Sequence, residues 1–275
     1  MTTATDDGLR VLDGDQLDLL RALDAVFRRW AGEWGAPEFR FPYLLRTRDL
    51  DTFDYFDNFP HLGLAATGCD PERLRGALPD LPRPVEQLDA DVLVPASYAL
   101  PSAACYAIYL DLAGARLPES GALRTTLGTC FRNEDHYDGL RRLLGFSMRE
   151  IVCIGTQDAT KAHLGRAKET VLALCAELGL EVRTEVATDP FFDRNGGKAK
   201  MQRLFPVKEE FVVDGLAIGS VNYHRNFFGE RCDIQVGDEP AHTSCLAFGL
   251  ERWVHTLTTR FGSASKALAA VESLR

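Results

Sequence analysis

The sequence predicts an α+β fold in which an antiparallel sheet is flanked by helices. The chain opens on a long amphipathic stretch, continues through strand-like runs paired by turns, and closes on a second amphipathic stretch. Strand pairs joined by turns favour antiparallel pairing, whereas regular strand–helix alternation would signal a parallel sheet. Neither GxGxxG nor GxxxxGKS/T occurs, so the common glycine-rich phosphate loops are absent.

Each element follows from local pattern. In residues 14 to 34, Leu17, Leu20, Leu23, Val26, Phe27 and Trp30 recur at helical spacing, and Gly35 closes the helix. APEFRFPYLL reads as a short strand interrupted by Pro42. Residues 51 to 69 are aromatic and turn-rich, and PERLRGALPDLPRP reads as a short helix followed by a proline-rich loop. DVLVPASYAL gives a strand and SAACYAIYLDLAG a helix. LRTTLGTCFRNE and LLGFSMREIVCIG read as two strands of a hairpin whose charged tip covers 135 to 142. Residues 157 to 179 form an amphipathic helix capped by Thr156 or Asp158 and ended by Gly179. EVRTEVATDPFF is a strand, and KEEFVVDGLAIGSVNYH is two strands turning at Asp214-Gly215. AHTSCLAFGLERWVHTLTTRFG passes from strand or turn into the closing helix.

Composition narrows the function. The 275 residues are 45% hydrophobic and 26% charged, enough for one sizeable core. A formal charge of -9 argues against general nucleic-acid binding, which needs concentrated Lys and Arg. No apolar run reaches the ~20 residues of a membrane helix, and the acidic MTTATDDGLR carries no signal segment, so a cytoplasmic location is expected. The seven dispersed cysteines include no CxxC pair and do not read as a disulfide framework.

The charged hairpin carries the first chemical signal. Arg132 and Glu134 are two residues apart, as are Phe146, Met148 and Glu150, with Arg142 at the start of the returning strand. Alternate strand residues share a face. Arginines suit phosphates, an aromatic ring offers a stacking plane, and a carboxylate accepts an exocyclic amine. The bland reading is a surface hairpin with solvated charges. Downstream, Gly249-Leu250-Glu251-Arg252 places an arginine in the first turn of a helix, where anions are favoured. By itself this is also compatible with a glycine turn before an ordinary helix.

Together, Phe131-Arg132-Asn133-Glu134, the Arg142-Phe146-Glu150 series and Gly249-Leu250-Glu251-Arg252 resemble motifs 2 and 3 of class II aminoacyl-tRNA synthetases. The opening helix followed by the Pro42 strand resembles motif 1, which implies a homodimer. The resemblance implies an ATP clamp: Arg132 on the α-phosphate, Glu134 on the adenine amine, Phe146 stacked on adenine, and Arg142 and Arg252 on the terminal phosphates. Arg132 and Arg252 would then be the catalytic arginines.

Cys105 in PSAACYAIY and Cys245 in HTSCLAFGLER are each, taken alone, most simply buried core residues. Their motif context is similar to that of the zinc-dependent, atypical seryl-tRNA synthetases and of their shorter relatives, the amino acid:carrier protein ligases. That resemblance implies a zinc site of Cys105, Glu150 and Cys245 with a position left for the substrate amine; His242, near Cys245 in sequence, is the substitute ligand should one of these not serve. Cys69, Cys130, Cys153, Cys175 and Cys232 are left as core residues. SVNYH and FFG also resemble the carrier-protein ligases, so Glu210, Asn222 and His224 are candidate amino-acid contacts, although ordinary strand alternation explains them equally. AIGSVN lacks the acidic metal ligand of seryl-type enzymes, which leaves magnesium to Glu209, Glu210 or the ATP phosphates.

Length and negative charge imply a single catalytic domain over 1–275 without a tRNA-binding arm. The expected reaction is adenylation of a small amino acid and its transfer to the phosphopantetheine thiol of a carrier protein. Lys161, Arg166 and Lys168 are candidates for the docking face of an acidic carrier. The alternatives are aminoacylation of another acceptor, or a catalytically silent regulatory paralogue; retention of Arg132, Arg142 and Arg252 argues against silence.

Overall fold

A computed structural model of the chain describes residues 7–193, 196–204 and 207–274, so part of the acidic N-terminal stretch lies outside the described residues. Helix α1 (Gly14–Glu33) starts at Asp13, whose side chain accepts from the Gln16 backbone N–H while Gln16 reaches back to the Asp13 N–H. Gly35, at φ +80°, turns the chain after it. The short strand β1 (Glu38–Phe39) follows. Helix α2 (Tyr106–Asp111) precedes the hairpin of β2 (Ala122–Phe131) and β3 (Gly145–Gly155). Next come α3 (Gln157–Glu177), β4 (Val182–Ala187), β5 (Lys208–Val213) and β6 (Leu216–Arg225). Thr156 caps α3. Asp214 and Gly215 both have positive φ, the geometry a tight two-residue hairpin turn requires. The chain ends through α4 (Phe227–Cys232), β7 (His242–Gly249), α5 (Leu250–Phe261) and α6 (Ala264–Glu272).

The strands form one sheet in the order β1-β2-β3-β7-β6-β5-β4. All neighbours pair antiparallel except β1, which runs parallel to β2 with Glu38 opposite Thr125. The fold is therefore α+β as expected, with one parallel edge that the sequence did not announce. Small sheets lie alongside: Leu45–Arg46, Leu64–Ala66 and Tyr98–Leu100 in one, Arg116–Leu117, Gln235–Val236 and Glu239–Pro240 in another. Several helices went unread, among them Gly197–Leu204, Phe227–Cys232 and α6, each of nine residues or fewer and so with few turns to show a periodic pattern.

Register divides the sheet into two faces. On one, Ile151, Leu246, Phe248, Val221 and Phe211 pack beneath α1, α3, α5 and α6 in the main core. Phe27 of α1 stacks on Phe248 with centroids 3.8 Å apart. On the other, the cross-strand row Glu150, Ala247, Ser220 and Glu210 faces the site. Arg149 lies on the core face, 1% exposed, with its Nε 2.7 Å from Asp24 Oδ1 and its Nη1 2.7 Å from Glu38 Oε1. It thereby pins α1 and β1 to the central hairpin.

Strand β2 ends at Phe131, before the arginine and carboxylate that strand alternation was expected to align. The cause is competition for backbone: the Arg132 N–H donates to Leu144 O, the Asn133 N–H to Leu62 O, and the Glu134 N–H folds back onto Arg132 O. Cys69 is exposed, unlike the buried position expected of it, because its strand neighbour is only an isolated bridge to Leu93. Cys130, Cys153, Cys175 and Cys232 are buried.

Candidate active site

A cleft with about 660 Å³ of open space lies on the site face, lined among others by Arg132, Glu134, Arg142, Phe146, Glu210 and Arg252. These six residues come from the hairpin, β5 and the start of α5. Two rigid supports fix its arginines. Arg132 donates from Nε and Nη2 to Ser102 O at 3.2 and 3.1 Å, and its guanidinium lies 5.1 Å from the Phe146 ring centroid. Arg252 donates from Nε to Arg141 O and from Nη1 to Ala217 O, at 2.8 and 2.9 Å. Burial, reinforced by Arg132, lowers the pKa of Arg252 below the usual arginine value. Arg142 donates to Glu134 Oε2 at 3.0 Å. In this state the side chain expected on the adenine amine and one expected on the terminal phosphates hold each other.

Sequence reasoning missed the anchor beneath this end. Glu251 is buried and both its oxygens accept from the Ser147 N–H at 2.9 Å, tying the first turn of α5 to β3; burial raises its pKa. Its place inside Gly249-Leu250-Glu251-Arg252 was the available signal. Lys208, also unremarked, pairs with Glu210 at 3.1 Å. Of the two carboxylates considered for magnesium, Glu210 lines the cleft, whereas Glu209 faces α3 and pairs with Lys168. Alternation along β5 separates them.

Further along the same face, Cys105, Glu150 and Cys245 each offer a ligand atom, all within 4.8 Å of one another. They are 4%, 1% and 2% exposed. The order of their approach follows from three elements. Glu150 comes from β3 and Cys245 from β7, two residues along from the Glu150–Ala247 pair and on the same face. Cys105 is delivered by the segment leading into α2, whose Ala104 and Cys105 N–H groups donate to Glu150 Oε1 at 2.8 and 3.0 Å. Gly128 of β2 permits this approach: a Cβ there would stand 2.9 Å from Ala104 Cβ.

The electrostatics of the trio are those of a cation site. Burial, with Cys245 nearby, pushes the Glu150 carboxyl up to about 8. The Cys105–Cys245 hydrogen bond leaves the proton on Cys105, whose pKa rises, and lowers that of Cys245, which His224 and Asn222 stabilise further. Only a nearby positive charge would favour the ionised forms of groups crowded this closely. Thiolate sulfur and carboxylate oxygen are both ligand types zinc accepts, so the residues fit that metal.

Asn222 and His224, expected to contact an amino acid, lie against Cys245: Asn222 Nδ2 is 3.2 Å and His224 Nε2 3.7 Å from its Sγ. His242, expected as the substitute ligand, is elsewhere; it pairs with Tyr223 Oη at 2.7 Å, because an odd separation from Cys245 along β7 puts it on the other face. Among the proposed docking cations, exposed Arg166 has its guanidinium over the Trp34 ring at 4.8 Å, and Lys168 pairs with Glu209.

No protein-family model matches the chain. It is 36% identical over 237 residues to amino acid–[acyl-carrier-protein] ligase 1 of Bradyrhizobium diazoefficiens, covering 80% of this chain and 70% of that protein. It is 34% identical over 252 residues to ligase 2 of the same organism, covering 86% and 72%. Among solved structures, the M. kandleri SerRS bound to A. aeolicus tRNASec superposes with a TM-score of 0.80 at 19% identity over 99% of this chain. This chain spans 57% of that synthetase, a likeness that establishes the class II synthetase fold.

Proposed function

The chain belongs to the amino acid–[acyl-carrier-protein] ligase family, and on that premise we propose that it activates a small amino acid with ATP and passes the aminoacyl group to the phosphopantetheine thiol of a carrier protein. The observation that carries this reading is one sheet face bearing two kinds of chemistry. Phe146 and Glu150 are four residues apart on β3 and on the same face, on the order of 13 Å. One end of the cleft suits a nucleotide and the other an amino acid.

In this proposal the amino acid carboxylate attacks the α-phosphorus of ATP, and pyrophosphate leaves. The carrier thiol then attacks the adenylate carbonyl, forming the thioester and releasing AMP. Arg132 holds the α-phosphate, and its bonds to Ser102 O keep the guanidinium in place before charge develops. Arg252, fixed on two carbonyls, and Arg142 hold the terminal phosphates. Adenine stacks on Phe146, and its amine takes Glu134 from Arg142. Donors set in advance of the reaction are the main source of phosphoryl-transfer catalysis. No enzyme nucleophile is required. Magnesium enters with ATP, with Glu210 the carboxylate positioned on the cleft wall.

Cys105, Glu150 and Cys245 would hold zinc, which when bound supplies an electrophilic anchor for the neutral amino group of the substrate. Around it, Glu150 holds the Cys105 segment through two backbone N–H groups, and Asn222 and His224 hold Cys245. A site that requires a free amine rejects N-acylated and simple carboxylic acids. We take the chain as a single catalytic domain without a tRNA-binding arm, supported by its charge of -9. Its free thiols suit a reducing, cytoplasmic compartment.

The test is acceptor choice. Purified protein, ATP and one amino acid at a time are incubated with a phosphopantetheine-bearing carrier or with tRNA, and each product is weighed by mass spectrometry. A thiol-labile aminoacyl adduct on the carrier alone is expected. Aminoacyl-tRNA with an unmodified carrier, or no adduct with either, would overturn the reading.

A further inference from the structure

His224 sits in the centre of a chain of hydrogen bonds that ends on one of the proposed metal ligands. Its Nε2 lies 3.7 Å from Cys245 Sγ. Its Nδ1 lies 3.1 Å from Thr243 Oγ1 and 3.4 Å from Tyr109 Oη. Thr243 and Tyr109 are buried. Both hydroxyls can donate, and a ring nitrogen that accepts leaves the other to carry the proton. A hydroxyl that donates to Nδ1 leaves the hydrogen on Nε2, aimed at sulfur, and this is the tautomer assigned below. Packing sets the ring plane as well: Phe228 meets His224 edge-on at 5.0 Å and stacks on Tyr109 at 3.9 Å. Asn222 Nδ2 supplies a second N–H to the same sulfur at 3.2 Å.

Glu150 offers a contrast. Its Oε1 accepts two backbone N–H groups, which no side-chain substitution removes. The sulfur of Cys245 instead depends on two side chains of β6, Asn222 and His224, two residues apart on one face. Two side chains of β6 therefore contact the Cys245 sulfur directly, beside Cys105.

We propose that His224 is a positioning residue for the metal site: held by Thr243 and Tyr109 in the Nε2–H tautomer, it donates to the Cys245 thiolate and fixes how strongly that sulfur donates to the cation, without being a ligand itself. This inference rests on the metal reading above. A donated hydrogen bond lowers the energy of the sulfur lone pairs, and groups that orient a ligand contribute 10–100-fold to metal affinity. Gln restores an N–H where His has Nε2, whereas Phe keeps the ring packing and removes both nitrogens.

The experiment loads the full chain with cobalt(II) in place of zinc and records its absorption, with affinity measured by chelator competition. The parent should show the strong visible bands of a four-coordinate site and a near-ultraviolet sulfur-to-cobalt band. In His224→Phe the visible bands should persist, the near-ultraviolet band should move to longer wavelength, and affinity should fall about 10–100-fold. His224→Gln should recover most of both, and Tyr109→Phe should give a smaller shift of the same sign. Should His224→Phe fail to fold, the Tyr109→Phe shift decides alone, its absence overturning the role. A His224→Phe protein identical to the parent overturns it, and so does loss of the four-coordinate bands, which would make His224 a ligand. A parent that takes up no cobalt overturns the metal reading, and this inference with it.

Discussion

Arg149 and Glu150 are neighbours in β3 and face opposite sides of the sheet. Arg149 meets Asp24 and Glu38 on the core side, and Glu150 meets Cys105 and Cys245 on the site side. The two are also linked through backbone: Thr125 Oγ1 donates to Glu150 O at 2.7 Å and accepts from Arg149 Nη1 at 3.3 Å. Structural support and chemistry thus share one strand position.

Arg149→Met is expected to leave Asp24 without its cation and Glu38 with only Arg28, 3.8 Å away. Breaking a buried pair by removing one partner typically costs 3–5 kcal/mol, and the partial exposure of both carboxylates places this case near the lower end, about 3 kcal/mol. Glu38→Gln, at the more exposed partner, should cost under about 1 kcal/mol. Urea unfolding of both variants checks the order; equal losses would contradict it.

Gly128→Ala should act on the metal trio from a strand away. Its Cβ would stand 2.9 Å from that of Ala104, so the segment whose N–H groups hold Glu150 must shift. Overpacking of this kind costs about 1–3 kcal/mol. The expected result is reduced metal content after dialysis against a chelator, with ATP binding retained. Unchanged metal retention would show that the segment yields without moving Cys105.

Acid should weaken the fold through His163. Its Nδ1 lies 3.0 Å from Ser244 Oγ, Trp34 packs edge-on at 5.7 Å, and burial pushes its pKa down from 6.5 to about 4. Between those values the unfolded chain binds the proton and the folded chain does not, so stability falls as pH drops from about 6.5 to about 4. The full contribution is about 3 kcal/mol. His163→Asn should lose that part of the pH dependence in denaturant titrations, and a variant with the parent slope would contradict it.

How much was legible in the sequence depended on whether the signal was local. Asp214-Gly215, the Thr156 cap and the β2–β3 hairpin are short-range features, and each could be read from neighbours. The Asp24–Arg149 pair joins residues far apart in sequence, and nothing near Arg149 marks it as buried. Cys105, Glu150 and Cys245 were gathered by resemblance to a family; spacing alone would have left both cysteines in the core. His224 was a candidate amino-acid contact by resemblance; its approach to Cys245 was not legible, because strand alternation shows which face a side chain takes and not which atom it meets. The parallel edge β1 was unreadable, since two residues carry no pairing preference of their own.

Exposed apolar side chains mark the segment after α1. Tyr43, Leu44 and Tyr98 are all exposed around the small sheet that includes Leu45–Arg46. We propose that a second copy covers them in a homodimer. Sedimentation should give twice the chain mass at micromolar concentration, and Tyr43→Glu with Leu44→Glu should give monomers. A parent that sediments as a monomer would contradict this.

The central claim is that this cleft joins an amino acid to ATP, and amino-acid-dependent exchange of labelled pyrophosphate into ATP tests it most directly. The parent should exchange with at least one small amino acid. Arg132→Ala and Arg252→Ala should each fall about a hundredfold, corresponding to ~3 kcal/mol of lost charge stabilisation, while remaining folded. Exchange at parental rates in both variants, or none in the metal-loaded parent with any amino acid, would contradict the account.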